Sequence, residues 1–92
     1  MQITIQYEAQ ARRAAGIGSE TIEVSDGCRV SDCICRVADA HGEQLRSILV
    51  NSEGDIQAAV LVFLNDVQTV RDEDTMLSDG DTLTLMTPIS GG

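Results

Sequence analysis

Apolar and polar residues alternate over residues 2–7, with Ile3, Ile5 and Tyr7 on one face and Gln2, Thr4 and Gln6 on the other. A period of two marks a strand buried on one face, so the chain is predicted to open on a β-strand. Residues 9–15, rich in Ala and Arg, predict a turn of helix that Gly16 and Gly18 end. Residues 20–24 alternate again, with Ile22 and Val24 inward. The connection between these strands, about a dozen residues, is long for a tight hairpin. Ser25-Asp26-Gly27 reads as a turn. Val30, Cys33, Ile34, Val37 and Ala38 then recur at spacings of 3, 4, 7 and 8, an apolar stripe with the 3.6-residue period of a helix. Ser31 or an adjacent polar residue can cap its start, and Gly42 is placed to end it.

Residues 45–50 suit either a short helix or irregular chain, and residues 51–55 read as a loop. Residues 60–64 are apolar on both faces, which predicts a central strand or one whose outer face meets a partner. Asn65-Asp66 turns the chain, residues 67–70 return as a short strand, and Asp72-Glu73-Asp74 forms an acidic loop. Met76 and Leu77 are expected to re-enter the core. After the turn Asp79-Gly80-Asp81, residues 82–87 alternate, with Leu83 and Leu85 inward and Thr82, Thr84 and Met86 outward. Pro88 ends the ladder because it has no N–H to donate. This order of elements predicts a two-layer α+β roll. Residues 1–92 form one domain, without repeat or linker.

Composition narrows the functions open to such a fold. The hydrophobic content of 42% supports a packed core, and with only Tyr7 and Phe63 aromatic that core must be aliphatic. The net charge of −9 argues against nucleic acid and favours a basic docking surface on any partner. No apolar run approaches the roughly 18 residues of a membrane span. The N-terminus lacks a basic segment followed by an apolar one, so the expected location is cytoplasmic. All six basic residues are arginines. Only the Met1 amine could therefore accept an isopeptide-type link from another copy.

Cys28, Cys33 and Cys35 are an odd count and suit reduced thiols. Their C-x4-C-x-C spacing matches no standard zinc pattern, and only His41 could add a nitrogen ligand, so no metal site is expected. Cys33 reads as a small core residue and Cys35 as partly exposed. His41, near the helix end, is expected to meet the helix dipole or solvent. With one histidine, no phosphate-cradling glycine loop and no metal set, nothing indicates an enzyme acting by itself.

Two features point instead to presentation of a chain end. The sequence finishes Pro88-Ile89-Ser90-Gly91-Gly92. Gly91 and Gly92 carry no Cβ, so their backbone can pass close to a partner's surface. Pro88 stiffens the base of this tail, and Ser90 offers a hydroxyl or simply small size. The strand parities also turn Phe63 outward if Val62 and Leu64 face in, and Met86 outward if Leu83 and Leu85 face in. On neighbouring strands these two would form an apolar docking patch beside the tail.

Three segments carry a resemblance to a known family. They are Ala9-Gln10-Ala11-Arg12 followed by a glycine, the helix start Val30-Ser31-Asp32, and Asp79-Gly80-Asp81 leading through an apolar strand to Pro-x-Ser-Gly-Gly. With the order of elements, they resemble the ubiquitin-like β-grasp family and, within it, the MoaD/ThiS sulfur carriers, MoaD most of all. The resemblance spans essentially the whole chain, and its tail is the most specific part. Two departures stand out: Thr87 occupies a position where many MoaD-type tails have a second proline, and residues 41–59 are longer than in the shortest members, closer to carriers serving cysteine synthesis.

The resemblance implies a β-grasp roll, a mixed four- to five-stranded sheet on one main helix, with residues 88–92 as a functional tail. It implies a protein co-substrate with no stably bound cofactor. A MoeB/ThiF-like adenylyltransferase of the ubiquitin-activating type would use ATP to adenylate Gly92, and sulfur would convert it to a thiocarboxylate. Gly91, Ser90, Ile89 and Pro88 would thread into that partner. The acceptor would be a synthase, such as a MoaE-like large subunit in molybdopterin formation. Thiamin, cysteine and tRNA thiolation pathways are alternatives. So are a ubiquitin-like modifier conjugated through Gly92 to target lysines and a binding module whose Gly-Gly is incidental.

Overall fold

The computed structural model describes residues 1–69 and 75–87. In chain order these form β1 (Gln2–Ala9), α1 (Gln10–Ala15), β2 (Ser19–Glu23), α2 (Val30–Ala40), α3 (Glu43–Leu49), β3 (Leu61–Leu64), β4 (Val67–Gln68) and β5 (Thr82–Thr87). The five strands make one mixed sheet in the order β2-β1-β5-β3-β4. The first and last strands run parallel at its centre, Ile5 opposite Leu83 and Tyr7 opposite Leu85, and the other pairings are antiparallel. A parallel pair cannot be closed by a hairpin, and here the intervening helices provide the crossover on one face. The architecture is a ubiquitin-like β-grasp roll.

Alternation decides which face the helices cover. Ile3, Ile5, Tyr7, Leu83 and Leu85 are fully buried, and Val62 nearly so. Against them lies the α2 stripe of Val30, Cys33, Ile34, Val37 and Ala38, all buried. The ambiguity over residues 45–50 resolves as helix: Leu45 and Leu49, four apart, both enter the core. Truncating any one of these large side chains, for example Leu85→Ala, would cost about 2–5 kcal/mol through lost burial and the cavity left behind.

Local chemistry sets the boundaries. The start of α2 is fixed by Asp32, whose carboxylate accepts the Arg29 backbone N–H at 3.1 Å. Ser31 lies inside the first turn, so the neighbouring acid performs the capping. Gly42, at φ +88°, ends α2 beyond its cap residue His41 and directly precedes α3. The loop after α3 closes on Asn51, whose Oδ1 accepts the N–H groups of Glu53 and Asp55. Asn65 and Asp66 both have positive φ, which gives a two-residue hairpin pairing Leu64 with Val67. The short return strand covers Val67–Gln68, while Val70 and the acidic stretch 72–74 lie outside the described residues.

One core expectation is corrected. Leu77 is 3% exposed, but Met76 is 54% exposed. Met76 makes an isolated antiparallel bridge to Arg29. Consecutive residues in extended chain point to opposite sides, so only one of the two can face inward. Among the described residues, no helix is long and apolar enough to cross a membrane.

Candidate functional site

The site is built around β5. Its start is held by the turn that the sequence marks: Gly80 has φ +87°, the Asp79 carboxylate accepts the Gln2 N–H at 2.7 Å, and Asp81 accepts the Ser78 N–H at 2.8 Å. Asn65 ties in the neighbouring hairpin. Its Nδ2 donates to Asp81 at 2.9 Å, and its Oδ1 accepts the Thr82 N–H at 2.9 Å. The strand then runs between β1 and β3, paired with β3 as far as Met86 opposite Leu61 and with β1 as far as Thr87 opposite Ala9. A central strand is the most firmly held backbone a sheet offers, so whatever follows Thr87 starts from a fixed point. The predicted tail residues Pro88, Ile89, Ser90, Gly91 and Gly92 lie outside the described residues.

The face of the sheet away from the helices carries the predicted patch. Phe63 pairs with Thr84 and Leu61 with Met86, so Phe63 and Met86 are diagonal neighbours on one face. Both are partly exposed. Leu61 belongs with them, a member that sequence reading missed although it shares the parity of Phe63. Polar groups rim the patch: Glu8 beside Met86, Gln6 beside Thr84, and Gln68 beside Phe63. The Thr84 hydroxyl donates to Gln6 at 3.2 Å.

On the inner face, sequence reading missed a polar cluster. Tyr7 is fully buried, and its hydroxyl donates to Glu20 Oε2 at 2.5 Å. His41 Nε2 contacts the same oxygen, and because a carboxylate can only accept, the histidine must carry the proton there. His41 also meets the Tyr7 ring edge-on, with centroids 5.7 Å apart. The expectation of a dipole- or solvent-facing histidine is thus replaced by a ring 19% exposed and bonded to Glu20. Burial alone would raise the Glu20 pKa, but the bonds from Tyr7 and His41 outweigh it and hold the carboxyl below its ordinary range. Burial, reinforced by Glu20, pushes the Tyr7 hydroxyl far up. The signal was present: Glu20 has the inward parity of Ile22, and it pairs with buried Ile5.

Two further features lie close to the end of β5. Thr87 is 3% exposed, and its Oγ1 has no hydrogen-bond partner among the described residues. Such an unmet buried group costs about 1–3 kcal/mol. Opposite it, Ala9 adopts φ +56° and ψ −129°, a conformation that a side-chain-bearing residue enters only under strain.

The cysteines are all free thiols. Burial pushes Cys33 up to about 12 and also raises Cys35, so neither is an activated nucleophile. No three His, Cys, Asp or Glu side chains among the described residues are grouped to hold a metal ion. Leu61, Phe63 and Met86 thus lie together, partly exposed, on the sheet face away from the helices, on β5 and its neighbour β3.

Comparison with known proteins agrees with this architecture. The ThiS family model matches residues 5–92. A molybdopterin synthase sulfur carrier subunit from Chlamydomonas reinhardtii is 32% identical over 93 residues, covering 100% of both chains. SAMP1 from Haloferax volcanii, a small archaeal modifier protein, superimposes with a TM-score of 0.85 at 25% identity over 100% of both chains. A putative molybdopterin converting factor subunit 1 from Pyrococcus furiosus gives 0.74 at 28% identity, covering 97% of this chain and 99% of that one.

Proposed function

The chain belongs to the ThiS family, and from that premise we propose that it is a sulfur carrier that works through the carboxylate of Gly92. A carboxylate is a poor electrophile, so the first step is activation. A Gly92 oxygen attacks the α-phosphorus of ATP on an adenylyltransferase of the ubiquitin-activating type, and pyrophosphate leaves. A sulfur nucleophile then displaces AMP from the acyl carbon, giving a thiocarboxylate. Transfer of that sulfur to an acceptor, with water supplying the oxygen, returns the carboxylate. The chain is consumed and regenerated as a co-substrate; ATP belongs to the activating partner.

The observation that carries this reading is the full-length likeness to a molybdopterin synthase sulfur carrier subunit, with the family match running through Gly92. It favours molybdopterin formation as the pathway and a synthase large subunit as the acceptor partner. The apolar patch of Leu61, Phe63 and Met86, on the strand that leads to the tail and its neighbour, supplies a docking surface. Pro88, Ile89, Ser90 and Gly91 form the thin segment that reaches the partner's nucleotide. The charge of −9 favours a basic face on that partner.

The likeness to SAMP1 supports a second reading, a protein modifier joined through Gly92 to lysines of targets. The same adenylation serves both, and they part at the nucleophile, sulfur or amine. The test is ATP–pyrophosphate exchange with adenylyltransferases of the same genome, comparing the intact chain with one lacking Gly92. The carrier reading expects exchange only with the intact chain; equal exchange with both would overturn it.

A further inference from the structure

The Met1 amine is the one group in the chain that could accept an amide link, and the fold ties it down. All six basic residues are arginines, whose guanidinium groups stay charged and do not serve as acyl acceptors. The Met1 ammonium donates to the Val24 carbonyl at 2.7 Å, and Val24 donates its own N–H back to the Met1 carbonyl at 2.8 Å. Glu23 and Asp26 lie 3.7 and 3.9 Å from the amine, but they are largely exposed, so the backbone pair with Val24 provides most of the hold. The next residue is clamped from the other side. The Gln2 N–H meets the Asp79 carboxylate at 2.7 Å, and the Gln2 carbonyl accepts the Gly80 N–H at 2.8 Å. The Met1 side chain packs against the core. The first residues of a domain are loose unless they are tied in such a way.

An amine attacks an acyl carbon through its lone pair. The Met1 nitrogen must therefore give up a proton and release Val24 before it can react. It also needs reach, because an acyl group activated on an enzyme sits within that enzyme's site. Met1 gains reach only if residues 1 and 2 unzip from Val24 and from the turn at Asp79 and Gly80. Resting on the activation of Gly92 put forward above, we propose that the fold bars this chain from acting as its own acceptor. The Met1–Val24 pair keeps the amine of one copy away from the activated Gly92 of another. In the barred reaction the amine nitrogen would bond to the Gly92 acyl carbon, the bond from that carbon to the AMP oxygen would break, and a proton would pass to solvent. With that route closed, the activated chain goes to a sulfur nucleophile or to an amine of a different protein, and head-to-tail polymers do not form. Such polymers would drain the pool of a carrier.

The experiment compares the parent with a chain that carries a short Gly/Ser extension ahead of Met1. The Met1 amide N–H can still donate to Val24 there, so the fold is kept, which a circular dichroism melt checks, while the amine moves out on a flexible leash. Because the chain has no lysine, an amine-specific acetylating reagent reads the terminal amine alone. Both chains are acetylated in buffer and in denaturing urea, and both are incubated with the adenylyltransferase and ATP without a sulfur donor, intact mass being the readout. In buffer the parent should acetylate about tenfold more slowly than the extended chain, the cost of opening two backbone hydrogen bonds, and in urea the rates should match. With ATP the extended chain should gather amide-linked dimers and the parent should not. Equal acetylation in buffer, a gap that persists in urea, or an extended chain that is adenylated yet never links would overturn the inference. A parent that is not adenylated at all overturns the reading of Gly92 and the inference with it, whereas an adenylated parent that links through Met1 overturns the inference alone.

Discussion

Replacing Glu20 by Ala should destabilise the domain through a partner it leaves behind. Tyr7 is fully buried, and its hydroxyl has Glu20 as acceptor at 2.5 Å. Without the carboxylate that hydroxyl is stranded, which costs about 1–3 kcal/mol, and a bond to a charged group sits in the upper part of that range. His41, 19% exposed, can turn to water and adds little. A loss of about 2–3 kcal/mol is a large share of the roughly 5–15 kcal/mol that holds a domain together. At about 4–8 °C per kcal/mol for a domain of this size, the melting temperature should fall by roughly 10–20 °C. Tyr7→Phe removes the hydroxyl and its need together, so it should cost only about 1 kcal/mol, and Glu20→Ala should cost far less in that background.

The same cluster sets a pH window. Glu20 has a folded-state pKa below its usual value of 4.5, so its contribution is complete above that value and is lost as pH falls through the folded pKa. Tyr7 is shifted the other way, above its usual 10.0, so its contribution is complete below 10.0 and lost only in strong base. The gap between parent and Glu20→Ala should be constant near neutrality and shrink in acid. Urea titrations across that range provide the assay. A loss within about 0.5 kcal/mol, the ordinary scatter of surface substitutions, or an equal loss when Tyr7→Phe is already present, would refute the reasoning.

Other outcomes follow from the same geometry. Phe63→Asp should leave the urea midpoint within about 1 kcal/mol, because a charge on the open face stays hydrated, yet weaken binding to the activating enzyme in titration calorimetry. Large destabilisation would place Phe63 in the core instead. Ala9→Gly should gain up to about 1 kcal/mol by relieving the positive φ, read as a higher midpoint, with a loss counting against strain there. Deleting Gly92 should abolish adenylation while leaving the circular dichroism melt unchanged.

How much was legible in the sequence depended on the range of the interaction. Period-two and period-3.6 patterns are local, and they placed Ile3, Ile5, Tyr7, Leu83 and Leu85 on one face and the α2 stripe against it. The outward positions of Phe63 and Met86 followed from the same parity, although Leu61 was overlooked. Glu20 bonds across 13 residues to Tyr7 and 21 to His41, and such pairings depend on strand register, which local pattern does not encode. An acid of inward parity was nevertheless a readable warning. Met76 failed because two adjacent apolar residues in extended chain cannot both face in. The abrupt turn from β1 into α1 was hidden because it runs through an alanine, Ala9, where a glycine would have announced it.

The central claim is that the carboxylate of Gly92 is activated to carry sulfur, and intact-mass spectrometry tests it most directly. The protein would be incubated with its adenylyltransferase, ATP and a sulfur donor, then fragmented to locate any change. The account predicts an oxygen-for-sulfur exchange confined to Gly92 and dependent on ATP. An unmodified Gly92 in the presence of an enzyme that demonstrably adenylates it, with Gly92 found instead on lysines of other proteins, would contradict it.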